Sequence, residues 1–325
     1  MRIVLLTLAV LAGLGLTGAA AVIGFGLYNV SAHAGHWPGV SWVLHTTFRS
    51  AVKLRAPSME EVPPLDDPDL IALGAGHYAT ACAMCHGAPG QPRSATIRAM
   101  VPEPPEIAEA VKDWQPNELH WIVQNGVKMS GMPGWPVTER PDEVWSVVAW
   151  LMTVQGGTPS PVTQATDGEG YCRTCHGTVA GPVPRLDILG SDYIADQLAA
   201  YRSGSRPSGI MAQAMSMVPK DQDAELSAAL STRGAGDGPS GSGMADSRGS
   251  TLAAKGSRDV PACVACHGAD ASKGPRLAGQ NEAYIADQLH LWRDGVLDHN
   301  KLMAAAAVEL TDQEIADLAA YFSGR

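Results

Sequence analysis

The six cysteines of this chain all fall in one pattern: Cys82-Ala-Met-Cys85-His86, Cys172-Arg-Thr-Cys175-His176 and Cys263-Val-Ala-Cys266-His267. Two thiols three residues apart on one turn can add to the two vinyl groups of a single porphyrin, while the following imidazole points at its iron. Each motif therefore predicts one covalently held c-type haem with a fixed proximal histidine, and the chain three. A structural zinc site needs four ligands from paired knuckles, and two cysteines with an adjacent histidine cannot close that tetrahedron. A thiol redox pair belongs in a βαβ context, which is absent, and has no need of histidine three times in three. No cysteine is left over for a disulfide framework or a free nucleophile.

The elements that present these motifs read as helices. Long stretches are Ala-rich, only three Phe occur, and no strand alternation is visible, so the fold class is all-α. Two breaks of linker composition divide the haem-bearing part: Gln155-Gly-Gly-Thr-Pro-Ser-Pro-Val162, and the Gly/Ser-dominated stretch from Arg233 to Ser250. The resulting division is an anchor at 1–30, a juxtamembrane segment at 31–65, and haem domains at 66–155, 163–233 and 251–325, with a linker at 234–250. The last two domains repeat with a period of 91 residues: Tyr193-Ile-Ala-Asp-Gln-Leu198 recurs as Tyr284-Ile-Ala-Asp-Gln-Leu289, and Pro184-Arg-Leu186 as Pro275-Arg-Leu277. Domains this small bury little core by themselves, and a buried haem supplies the missing apolar surface. A closing helix is expected from Thr311 to Phe322, with Thr311 and Glu314 as a capping box and Ile315, Leu318, Ala319 and Phe322 on one face. Its counterpart from Asp223 to Leu230 lacks the Tyr321-Phe322 pair, so looser packing is expected there.

Ile3 to Tyr28 is an uncharged run of 26 residues, roughly 39 Å long as a helix and sufficient to cross a hydrocarbon core of about 30 Å. Ala32-His33-Ala34 has the form of a cleavage site, but the run is too long for a signal h-region, and an uncleaved anchor is expected. Arg2 on one side and Arg49, Lys53 and Arg55 on the other leave the orientation to the haem motifs, since c-type haem is assembled after export, on the periplasmic side of a bacterial inner membrane. Between anchor and first haem lie His33, His36, Trp37, Trp42, His45 and Phe48, read as an interfacial helix or docking surface rather than a metal or quinone site. The net charge of −10 argues against nucleic acid as a partner, and none is expected.

The three domains resemble class I cytochrome c domains. The second and third are similar to the halves of dihaem c4-type cytochromes, through Val260-Pro-Ala-Cys-Val-Ala-Cys-His-Gly268, Pro275-Arg-Leu-Ala-Gly-Gln280 and Tyr284-Ile-Ala-Asp-Gln-Leu289. The first, with Trp114-Gln-Pro-Asn-Glu-Leu119 and Gly131-Met-Pro-Gly-Trp135, looks like another class I branch. The second departs from the pattern where Asp187-Ile-Leu replaces Ala-Gly-Gln.

The resemblance implies a distal methionine: Met132 in the first domain with Met129 as runner-up, Met303 in the third, and Met211 in the second, where Met215 and Met217 compete. His120, His290 and His299 are bis-histidine alternatives, expected at helix surfaces. It also implies that a proline carbonyl, from Pro105, Pro184 or Pro275, orients each proximal imidazole, and that Arg185 and Arg276 face haem propionates or solvent.

The function so implied is single-electron relay with no catalytic residue, from a dehydrogenase or quinol-oxidising complex of the inner membrane to a haem-copper oxidase or soluble cytochrome. One alternative is the cytochrome subunit of an alcohol or sugar dehydrogenase, for which an anchor near the C-terminal end is expected and not seen. The others are a multihaem peroxidase and a subunit that mainly docks other proteins. The third domain is expected to dock on the second rather than to swing on its linker.

Overall fold

The computed structural model describes all residues except 129, 162–167, 178, 232–246, 269–273 and 325. Among the described residues there is no strand, only an isolated bridge between Ala88 and Gln91, so the all-helical expectation holds. Helix α1 (Arg2–Gly24) is apolar, and none of its residues is buried against the chain. Its 23 residues reach about 35 Å, long enough to cross a membrane. It ends before the apolar run does, and Gly26 turns the backbone with a φ of 62°. In α2 (Val40–Arg55), Val52 is fully buried, Phe48 packs edge-on against Trp114 at 5.5 Å, and Arg49 lies 5.3 Å over the same ring. Trp42, Val43 and Leu44 at its other end are exposed.

The first hydrophobic cluster is built from α3 (Pro68–Ala81), α6 (Ile107–Val111), α7 (Pro116–Asn125) and α8 (Val144–Gln155). The one-turn helices α4 (Ala83–His86) and α5 (Ala95–Arg98) lie on its edge. Asp67 starts α3, its carboxylate accepting from the amides of Asp69 and Leu70, with Pro68 in the first turn. Glycine at 74 lets α3 and α8 approach to backbone contact: a Cβ there would stand 1.9 Å from the Ser146 carbonyl oxygen. Around this crossing Tyr78 and Trp150 stack with centroids 4.1 Å apart. Gln155, placed in the first break by its sequence, is the last residue of α8 and donates to the carbonyls of Val111 and Trp114.

The second cluster comprises α9 (Gly168–His176), α10 (Ser191–Ser203), α11 (Gly209–Met217) and α12 (Asp223–Leu230). The third comprises α13 (Arg248–Lys255), α14 (Val264–His267), α15 (Glu282–Arg293), α16 (Lys301–Ala307) and α17 (Asp312–Ser323). The capping box of α17 forms as its sequence predicts, with the Glu314 amide donating to Thr311 Oγ1 and the Thr311 amide to the Glu314 carboxylate.

The linker expectation for 234–250 needs correction at its end. Residues 234–246 lie outside the described residues, but Ser247 caps α13 and 248–250 are its first turn. Gly249 and Ser250 are buried there, and a Cβ on Gly249 would fall 2.1 Å from the Asp317 carbonyl oxygen of α17. Small residues serve a close helix crossing here, which composition alone reads as flexibility.

The clusters are in contact. Leu73 of α3 packs with Val179 and Val183, and the Asp69 carboxylate accepts from the amides of Ala180 and Gly181. Between second and third, Gln280 exchanges hydrogen bonds with the backbone of Arg185, Asn281 donates to the Val183 carbonyl, and Arg206 donates to both Gln197 and Gln288. Those two glutamines are the same position of the 91-residue repeat. Docking of the third domain is thus what the structure adopts.

Gly74→Ala should destabilise the first cluster by about 2–3 kcal/mol, because backbone faces the added methyl and no flexible side chain can yield. An unchanged denaturant midpoint would exclude the crossing described here. His77, buried on α3 with its ring 4.7 Å from that of Trp135, is pushed down by burial to about 4. The folded chain then binds its proton only below the range where the unfolded chain does. This contribution to stability, about 3 kcal/mol, is complete above pH 6.5 and is lost as pH falls toward 4. His77→Phe should remove that component from the pH dependence of unfolding.

Candidate functional site

Each haem motif is a single helical turn in which the two cysteines and the histidine stand at i, i+3 and i+4, so all three side chains share a face. In the first, the amides of Cys85 and His86 both donate to the Cys82 carbonyl, at 3.1 and 3.0 Å, and in the third the Cys266 and His267 amides repeat this on Cys263. The Tyr78 hydroxyl donates to the Gly87 carbonyl, which ties the first motif to the core beneath it. All six cysteines are half-buried and free of disulfides. Burial pushes the Cys82 thiol up to about 12 and those of Cys172 and Cys175 to about 11. They are protonated at neutral pH, and addition across a vinyl group consumes both the sulfur and its proton.

The three imidazoles are held alike. Nδ1 of His86, His176 and His267 lies 2.9, 2.9 and 2.8 Å from the carbonyl oxygens of Pro105, Pro184 and Pro275. A carbonyl only accepts, so Nδ1 carries the proton and Nε2 keeps the lone pair an iron needs. Burial lowers the pKa of all three rings, against the raising effect of the proline carbonyl, and favours this neutral form. Gly274 permits the arrangement in the third site, since a Cβ there would stand 2.7 Å from His267 Cε1.

The methionines separate by position. Ser208 caps α11 and accepts from the Met211 amide at 3.1 Å, while Asn300 caps α16 and accepts from the Met303 amide at 3.2 Å. Met211 and Met303 thus occupy the same third position of equivalent helices. Met215 is a core residue, 3% exposed, and Met217 is 57% exposed. Met132 is half-buried in the loop before Trp135, with its amide on Ser130 Oγ and its carbonyl accepting from the Val127 amide. Met129 lies outside the described residues. Met100, which sequence did not single out, brings its methyl against Gly131.

A cavity of about 540 Å³ opens beside the second motif, lined by Cys172, Cys175, His176, Leu186, Met211 and Met215 among others. It places the proximal histidine and Met211 on one apolar chamber. In the first unit the buried Arg93 Nε has no partner, while its guanidinium nitrogens hold Glu103 and the Pro104 carbonyl. An unsatisfied donor so near His86 suits a propionate. The residues present therefore fit covalent haem.

Two expectations change. Arg185 spends its guanidinium on Asp187 and the Gly279 carbonyl, between the second and third units. This also accounts for Asp187-Ile-Leu: Asp187 pairs with Arg185, and Ile188 and Leu189 enter the second core. His120 is buried rather than on a helix surface, its Nε2 2.8 Å from the Pro141 carbonyl and its ring stacked on Trp145. His299 lies against Trp292 and His290 near Asp312. Glu143 was not legible at all. Its carboxylate is buried between units, where burial pushes its pKa up and the Arg140 guanidinium and Ser208 hydroxyl pull against that rise.

A family model described as cytochrome c oxidase, cbb3-type, subunit III, matches residues 69–151 and 247–322. The thiosulfate dehydrogenase electron acceptor of Stutzerimonas stutzeri (strain A1501) is 35% identical over 171 residues, 47% of this chain and 77% of that protein. Its counterpart from Thiomonas intermedia (strain K12) is 32% identical over 197 residues, 55% and 89% of the two chains. Cytochrome c4 of Thiocapsa roseopersicina is 31% identical over 183 residues, 50% and 92%. Helical turns that present paired cysteines beside an oriented imidazole define a covalent-haem protein. The chain belongs to the cytochrome c family, whose members carry haem c and transfer electrons.

Gly274→Ala should tilt the His267 ring off the Pro275 carbonyl and shift the potential of the third haem alone. A redox titration with all three potentials unchanged would exclude that contact.

Proposed function

We propose that this chain is a trihaem electron-transfer cytochrome, tethered to a bacterial inner membrane by α1, with haem domains at 66–155, 163–233 and 247–325 in the periplasm. The observation that carries this reading is the threefold recurrence of one arrangement: a Cys-x-x-Cys-His turn whose imidazole donates Nδ1–H to a proline carbonyl. When bound, haem supplies reversible one-electron exchange at its iron. His86, His176 and His267 hold the proximal position and aim Nε2. Met132, Met211 and Met303 would supply the second iron ligand, and a thioether there would close the site to peroxide and dioxygen and favour the ferrous state. That closure sets the reading against a peroxidase. Upstream we place a quinol-oxidising complex or dehydrogenase of the inner membrane, and downstream a haem-copper oxidase or soluble cytochrome.

A second reading of the donor has its own support. Two relatives are electron acceptors of thiosulfate dehydrogenase, so a periplasmic oxidoreductase of that kind is the donor to test beside the membrane complexes.

A pyridine haemochrome assay should give three haems per chain, one for each motif, and two or fewer in fully matured protein would overturn the trihaem reading. The reduced protein should not bind carbon monoxide, whereas Met132→Ala, Met211→Ala and Met303→Ala should each open one haem to it and lower that haem's potential. Carbon monoxide binding by the unaltered protein would favour the peroxidase. Co-purification from solubilised membranes then identifies the donor.

A further inference from the structure

Glu143 lies at the N-terminus of α8 in the first unit and reaches into the second. Its Oε1 accepts from the Ser208 hydroxyl at 2.6 Å, and its Oε2 from the amides of Gly209 and Ile210 at 2.6 and 3.2 Å. The same Ser208 oxygen accepts from the Met211 amide at 3.1 Å. The first two amides of α11 are therefore satisfied by a carboxylate of another unit, and the third, that of Met211, by the capping Ser208 hydroxyl that this carboxylate holds in place. Arg140 completes the anchor, 3.1 Å from Oε1, with a second bond to the Pro207 carbonyl. The side chains of Arg140 and Glu143 are 10% and 7% exposed.

Glu143 also meets the first distal segment. Trp135, three residues after Met132, donates its indole N–H to Oε2 at 3.3 Å, and its ring lies flush on Gly209, where a Cβ would stand 2.1 Å from Nε1. The third unit has no such dependence. Asn300, on α16's own chain segment, accepts from the amides of Leu302 and Met303 with its side chain alone.

We propose that Glu143 is a positioning residue for the distal methionine of the second haem, so that ligation in the second unit is set by docking of the first. The proposal rests on Met211 being the distal ligand. Removing the carboxylate leaves Arg140 on Asp142 and the Pro207 carbonyl, and frees the start of α11, whose first amides lose their acceptor. The loop carrying Met132 loses one contact but keeps its own bonds to Val127 and Ser130.

The test uses the full, haem-loaded chain and variants Glu143→Ala, Glu143→Gln, Ser208→Ala and Met211→Ala. Three readouts apply: carbon monoxide binding after reduction, the red charge-transfer band of methionine-ligated ferric haem, and a redox titration resolving the three haems. Met211→Ala is expected to open one haem to carbon monoxide and to remove one contribution to the band. Glu143→Ala should reproduce this at the same haem, in part or in full, and lower that haem's potential, with the third haem unmoved. Glu143→Gln, which keeps one acceptor oxygen, should lie between it and the parent. If Met211→Ala leaves band and potentials unchanged, the ligand assignment fails and the proposal with it. If Met211→Ala acts but Glu143→Ala and Ser208→Ala leave the second haem as in the parent, the assignment stands and positioning by Glu143 is overturned. Where Glu143→Ala matures with fewer than three haems, Ser208→Ala and Glu143→Gln decide by the same criteria.

Discussion

One hydrogen bond, made three times, governs the rest of this molecule: the imidazole Nδ1–H of each motif on a proline carbonyl. It fixes the tautomer and turns the ring, and so decides the direction in which Nε2 could bind an iron. Everything else is arranged to keep that bond in place. The first motif is roped to Tyr78 and so to the Trp150 core, and Gly274 is small because an imidazole edge passes over it. The cavity beside His176 has Met211 on its wall, so the second motif faces open space instead of a close-packed core.

What sequence made legible was local or periodic. The haem turns, the Thr311–Glu314 box and the 91-residue repeat depend on residues a few positions apart or on self-similarity, and the structure renders them as read. The proline carbonyls followed from a resemblance, and the geometry supplies their distances. Contacts between units were not legible. Glu143 and Ser208 are 65 residues apart, Arg185 and Gln280 are 95, and nothing in either segment announces the other. Gly249 was misread for a different reason: glycine and serine are the currency both of loose linkers and of helices that touch, and only the neighbour decides between them.

The two copies of the repeat have diverged in what they are tied to. The third unit caps its methionine helix from within, whereas the second borrows a carboxylate from the first and offers its Arg185 backbone to the third. A middle unit held from both sides gives up independence for fixed geometry.

Arg206 carries a consequence for ancestry. It donates to Gln197 and Gln288, the same glutamine of two copies, while the register 91 residues on is occupied by the buried Leu297. A symmetric pair of identical single-unit chains would bring either two guanidinium groups or two isobutyl groups to that junction, the first repelling and the second leaving both amides without a donor. One cation between two equivalent acceptors requires the two copies to differ at this register, as they do here. The junction thus carries a sequence asymmetry that the repeat around it does not, one arginine reading the same glutamine twice.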